Sequence, residues 1–205
     1  PAQAGNGLSN YPVIVLDVEG SDSRERGDGA KSFESRTALF SLALADVVIV
    51  NMWAHDIGRY SAANYDLFET VFAHASTLHR QAKVFDETRR VHIIMAIRDH
   101  DGESALADIR RVLLGDLENI WDSLMIADLS FHSIFNFEVA LFPHKIYSPD
   151  DFSTTVKLFS SKFSERAKIT QHVPIAGFEA LARTIWSAVC ESTGGNGQNR
   201  TFSLD

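Results

Sequence analysis

One cysteine, Cys190, is too few for an internal disulfide, which excludes the disulfide-stapled scaffolds of small secreted domains. Five prolines and twelve glycines in 205 residues exclude a collagen or a low-complexity chain. Basic residues are scarce as well: nineteen lysines and arginines face twenty-seven aspartates and glutamates, a net charge of −8. Such a surface disfavours broad phosphate-backbone binding, so nucleic acid is not an expected partner, but it leaves room for one local anion site. The most apolar stretch, Ala38 to Trp53, is broken by Ser41, Asp46 and Asn51 and falls short of the ~20 residues of a spanning helix. Membrane attachment is therefore expected only through segments outside this chain. The chain begins with Pro1 rather than Met, and Pro1 to Asn10 has none of the zones of a signal peptide. A fragment of a longer, cytosol-facing protein is expected. The triplet Asn199-Arg200-Thr201 matches a glycosylation site, which in such a chain is read as coincidence.

What is present suits one globular domain: 45% hydrophobic and 22% charged residues, long enough to bury roughly 70% of the unfolded surface. Val13 to Leu16 is a continuous apolar run, as expected of a strand buried on both faces. Phe33 to Ala45 reads as a helix with Phe33, Thr37, Phe40 and Leu44 on one side. Val47 to Val50 is a second buried strand, and Tyr65 to Lys83 a helix striped by Leu67, Val71, Ala75 and Leu78. Val91 to Ile97 follows as a strand, Ala105 to Leu117 as a helix, Phe135 to Phe142 as a fourth strand. Pro149 to Arg166 and Phe178 to Glu191 complete the series as helices. Strands alternating with helices imply an α/β fold, a mostly parallel sheet covered by helices. The expected organisation is a flexible segment 1–10, a domain over 11–192 and a flexible tail 193–205. Ligands of such sheets lie beyond the carboxyl ends of the strands. That directs attention to the charged loops Asp17 to Lys31, Asn51 to Asn64 and Arg98 to Glu103.

Two short motifs stand at strand ends. In Asp17-Val18-Glu19-Gly20 the carboxylate of Asp17 could hold magnesium through water, while Gly20 would let a backbone N–H approach a terminal phosphate. In Arg98-Asp99 the carboxylate could accept hydrogen bonds from both N1 and N2 of guanine, a pair that adenine cannot offer. The neighbouring Asp101-Gly102-Glu103 fails as a calcium loop, because its glycine falls too early. His55, His100 and His144 have no zinc-site spacing around them, and Trp53, Trp121 and Trp186 are read as core anchors.

In order along the chain, the blocks Leu16-Asp-Val-Glu-Gly-Ser-Asp-Ser-Arg-Glu-Arg-Gly27, Phe33-Glu34, Ala38-Leu39-Phe40, Val50-Asn-Met-Trp53, His55-Asp-Ile-Gly-Arg59, Ile97-Arg-Asp-His-Asp101 and Ile120-Trp-Asp-Ser123 closely resemble the root-hair-defective family. Its members are counterparts of atlastin, dynamin-like GTPases that fuse endoplasmic reticulum membranes. The resemblance covers about Val13 to Trp186 and implies a partial P-loop GTPase fold. It implies Asp17 as the magnesium-linked acid, Gly20 as the glycine that senses the γ-phosphate, and 19–26 as the switch loop. It further implies Arg98 and Asp99 as the guanine-reading pair. Pro143, His144 and Lys145 would fall in the loop that closes over the base. GTP and GDP with Mg2+, homodimerisation through the GTPase face, and the cytosolic face of the endoplasmic reticulum follow from the same likeness. Arg24, Arg26 and Arg59 are read as solvated, one of them able to reach a partner subunit.

The pattern departs from the family at its start. No Gly-x-x-x-x-Gly-Lys-Ser/Thr cradle precedes Asp17, and the switch threonine is missing too; Gly27-Asp-Gly-Ala-Lys-Ser32 has the wrong spacing and position. Catalysis in this fold is mostly positioning and charge stabilisation by that cradle, so no catalytic residue is assigned, and weak binding with little hydrolysis is expected of the chain alone. Two alternatives remain: a nucleotide-free interaction module that kept the fold, and a two-metal exonuclease using Asp17 and Glu19 as an Asp-x-Glu pair.

Overall fold

A computed structural model describes residues 14–18, 30–59, 65–82, 90–124, 129–166 and 175–192. Within them the sheet has three parallel strands, β1 (Val47–Trp53), β2 (Val91–Arg98) and β3 (Phe135–Leu141), in the order β1-β2-β3. Six α-helices accompany it: α1 (Ala30–Leu44), α2 (Tyr65–Ala82), α3 (Leu106–Ser123), the single turn α4 (Phe131–Ile134), α5 (Pro149–Arg166) and α6 (Ile175–Ser192). The alternation and the parallel pairing agree with the α/β expectation.

Strand character follows position in the sheet. β2 is central, and Ile93, Ile94, Met95, Ala96 and Ile97 are all buried, as a strand covered on both faces requires. β3 alternates, with Phe135, Phe137 and Val139 buried and the residues between them half-buried. β1 is an edge strand whose Ile49, Asn51 and Trp53 are exposed while Met52 is buried. The turn into it is closed by the Asp46 carbonyl, which accepts from the His92 N–H at 3.0 Å and starts the ladder.

Two expectations need correction. Residues 14–18 join no strand, and Ile14, Val15, Leu16 and Val18 are exposed. An apolar run states a need for burial but does not supply a neighbouring edge; among the described residues the sheet therefore has three strands, not four. Helix α3 runs six residues past the expected end at Leu117, because Ile109, Leu113, Leu117, Ile120 and Trp121 continue one buried stripe. The expected flexible segments 1–10 and 193–205 lie outside the described residues.

The core is aromatic where α2, α3, α4 and β3 meet. Phe72 lies 5.5 Å from Trp121 and 5.4 Å from Phe135, and Phe131 lies 5.2 Å from Phe135, centroid to centroid. Edge and tilted pairs of this kind add about 0.5–1.5 kcal/mol each beyond the area they bury. The Trp121 indole N–H donates to the Leu129 carbonyl at 2.9 Å, and the buried Tyr65 hydroxyl donates to Asp116 Oδ2 at 2.6 Å, tying α2 to α3. Phe142, just past β3, instead meets Phe152 and Phe159 of α5. The Phe142 contacts tie the carboxyl end of β3 to α5.

Candidate functional site

Strand register builds the site. Ile97 pairs with Leu141, so the chain leaves β2 and β3 at the same level. The ladder then continues: the Phe142 N–H donates to the Ile97 carbonyl at 2.8 Å, and the His100 N–H to the Phe142 carbonyl at 3.0 Å. The loops after β2 and β3 are thereby held side by side. Between them opens a cleft of about 500 Å³, whose lining includes Asp99, His100, Pro143, His144, Tyr147 and Asp151. It lies beyond the carboxyl ends of parallel strands, where ligands of open α/β sheets bind.

Asp99 occupies the cleft in an unusual conformation. Its φ of +56° makes it the one non-glycine residue with positive φ among the described residues. That left-handed geometry costs about 1–2 kcal/mol, although aspartate tolerates it better than most. Such strain concentrates at functional positions. The His144 imidazole Nε2 lies 3.6 Å from Asp99 Oδ2, with both side chains about one-third exposed. The His144 Nδ1 accepts the backbone N–H of Ile146 at 3.1 Å and of Tyr147 at 3.3 Å, and the Tyr147 ring lies against the imidazole at 4.2 Å.

The rest of the β2 loop is held by its own side chains. His100 Nδ1 accepts the Gly102 N–H at 3.1 Å, and Asp101 Oδ1 accepts the Glu103 N–H at 2.9 Å. Asp101 is thus occupied in a local turn. Gly102, at φ +86°, makes the reversal that a side chain would strain. The His100 Nε2 is buried without a hydrogen-bond partner.

Arg98 is placed differently from Asp99. Parallel register sets Trp53 beside it, and the guanidinium carbon lies 3.9 Å from the indole centroid. The same indole also lies beside His55, with centroids 6.0 Å apart and rings 23° from parallel. Arg98 is thus engaged by β1 and does not line the cleft, and its Nε is buried without a hydrogen-bond partner. Trp53 was expected in the core; at the end of an edge strand it is 39% exposed and serves as a platform for the cation. Trp121 does anchor the core, and Trp186 packs edge-on against Phe40.

The other expected residues are dispersed. Lys145 is exposed and does not line the cleft; nor does Asp17, which lies on the exposed segment 14–18. Gly20, Glu19, Arg24 and Arg26 lie outside the described residues. Among the described residues no three histidine, cysteine, aspartate or glutamate side chains stand together to hold a metal, as the two-metal exonuclease reading would need. Magnesium takes one or two carboxylates and fills its shell with phosphate and water oxygens. Asp17 alone could offer a water-mediated contact, and the remaining ligands would have to come from elsewhere. Among the described residues no helix is long and apolar enough to cross a membrane.

Tyr147 and Asp151 were missed. Tyr147 lies in the 143–148 loop, which follows a strand but carries little charge, and Asp151 lies in the first turn of α5, where an acid reads as an ordinary helix-start residue. Residues 2–194 match the model described as the root hair defective 3 GTP-binding protein (RHD3) GTPase domain.

The chain belongs to the root-hair-defective GTPase family.

It is 38% identical over 193 residues to the Protein SEY1 homolog of Dictyostelium discoideum, covering 88% of this chain and 21% of that protein. It is 35% identical over 198 residues to Protein sey1 of Botryotinia fuckeliana (86% of this chain, 22% of that protein), and 40% identical over 155 residues to Protein sey1 of Neurospora crassa (74% and 18%). The chain spans about a fifth of the length of these relatives. The match agrees with an atlastin-like, dynamin-superfamily GTPase domain, and the parallel sheet flanked by helices agrees with a partial P-loop GTPase fold.

Proposed function

We propose that this chain is the base-reading part of the GTPase domain of a membrane-fusing GTPase, taken as residues 11–192. Asp99 in the cleft between the β2 and β3 loops is the observation that carries the proposal. An ionised carboxylate accepts only, with two oxygens side by side, and matches the N1–H and N2–H of guanine; adenine presents no such donor pair. A site built to accept two hydrogen bonds rejects a ligand that leaves it unpaired by far more than it rejects a missing methylene. Arg98, pinned on Trp53, supports the strand end from which Asp99 departs.

In the parent protein, GTP bound here would pair two such domains from opposing endoplasmic reticulum membranes, and hydrolysis would release the switch and drive fusion. That places the domain on the cytosolic face of the membrane, anchored by segments outside this chain. Family membership supports the reading. On its own the chain holds no phosphate cradle, so it should bind guanine nucleotide weakly and hydrolyse little.

The test compares GTP with ATP in the full-length protein carrying this domain. Wild type should prefer GTP by at least about 100-fold, and Asp99→Asn should remove most of that preference, as expected when a paired polar contact is lost. Equal affinities for the two nucleotides, or a preference untouched by Asp99→Asn, would end the proposal.

A further inference from the structure

We propose that His144 is a positioning residue that holds the Asp99 carboxylate for discrimination between guanine and bases lacking its 2-amino group. The inference rests on the base-reading role of Asp99 set out above. Its starting point is the state of the imidazole. Nδ1 accepts two backbone N–H groups, from Ile146 and Tyr147. A ring nitrogen that accepts carries no proton, so in the neutral ring the proton sits on Nε2. That N–H faces Asp99 Oδ2 at 3.6 Å. The loop after β3 thus fixes both the tautomer and the direction of the donor.

Three further observations give the contact its function. Tyr147 covers one face of the imidazole at a centroid distance of 4.2 Å, which opposes a ring flip. Among the described residues His144 is the one group in polar contact with the Asp99 carboxylate. Asp99 itself stands at φ +56°, outside both strand and helix, so no regular backbone sets its side chain. Each carboxylate oxygen has two lone pairs, so Oδ2 can accept from His144 and still accept from a base. The separation is longer than a hydrogen bond, so in the free protein the contact is an electrostatic restraint that a small side-chain rotation closes once the base is in place. A carboxylate already restrained loses less rotamer freedom when it takes both guanine donors.

The experiment measures dissociation constants for GTP and ITP in the full-length protein. Inosine keeps N1–H and lacks the 2-amino group, so the GTP/ITP ratio of affinities (reciprocal dissociation constants) reads the second hydrogen bond alone. His144→Phe keeps a ring against Tyr147 and removes the donor. It should lower the GTP/ITP ratio about five- to tenfold, roughly the worth of one hydrogen bond, with ITP affinity changed less than about twofold. His144→Gln, which keeps an N–H at the ε position, should restore most of the ratio. If His144→Phe does not fold, His144→Ala reads the same ratio. An unchanged ratio, or equal losses for GTP and ITP, would reduce His144 to a structural part of the loop and overturn the proposal. Asp99→Ala separates the two levels: if it collapses the ratio while His144 variants do not, only the positioning role falls; if it leaves the ratio intact, the base-reading role falls with it.

Discussion

At the scale of single residues, the site is governed by a conflict between backbone comfort and chemistry. Asp99 accepts a left-handed conformation that glycine would adopt without strain. Replacing it with glycine relieves that cost but adds freedom to the unfolded chain, and the two effects differ by little. Asp99→Gly should therefore leave stability unchanged or raise it by up to about 1 kcal/mol while abolishing guanine preference. Thermal unfolding beside a GTP/ATP competition would register both; a loss of more than about 1 kcal/mol would mean that the carboxylate is needed for the fold and not chiefly for a ligand. Asp99 was legible in the sequence because an acid at the end of an apolar run is conspicuous. The conformation that makes it informative was not legible, since aspartate occupies ordinary and left-handed regions alike.

At the scale of elements, packing decided what periodicity left open. The helices over 65–82 and 149–166 and the strands over 91–98 and 135–141 were readable to within a residue or so, since stripe or apolar run coincides with the element. The end of α3 was not, because the last turn is held by Ile120 and Trp121 reaching the cluster around Phe72. Phe72 joins α2 to α3, α4 and β3 through its contacts with Trp121, Phe131 and Phe135. Phe72→Ala should cost about 3–5 kcal/mol by transfer and cavity terms together. Urea unfolding would show it as a lower midpoint with an unchanged slope, and a loss below about 1 kcal/mol would contradict the central place given to this ring. The run at 14–18 shows the limit of pattern reading, as its apolar residues are exposed beside no strand.

At the scale of the whole molecule, acidity acts on one histidine that the nucleotide site does not use. Burial lowers the pKa of His74 on α2 from its ordinary 6.5, because the imidazolium loses solvation. The unfolded chain then takes up this proton before the folded one does. The stabilising contribution is whole above about pH 6.5 and declines as pH falls from there through the lowered folded value. Replacing His74 with Gln removes this proton uptake, so between pH 7.5 and pH 5 the wild-type domain should lose more stability than the variant. Chemical unfolding at the two pH values would detect the difference, and identical losses would show that His74 is as solvated when folded as when unfolded.

The amino-acid sequence by itself determined the α/β class, the parallel pairing and the family, because these rest on the spacing of apolar residues and on short ordered blocks that neighbouring residues alone can specify. Tertiary structure alone decided that Trp53 carries Arg98 and that His144 faces Asp99. Each of those pairs is joined by strand register, which brings together residues 45 apart in the chain, and no local pattern encodes where two loops meet once their strands are side by side.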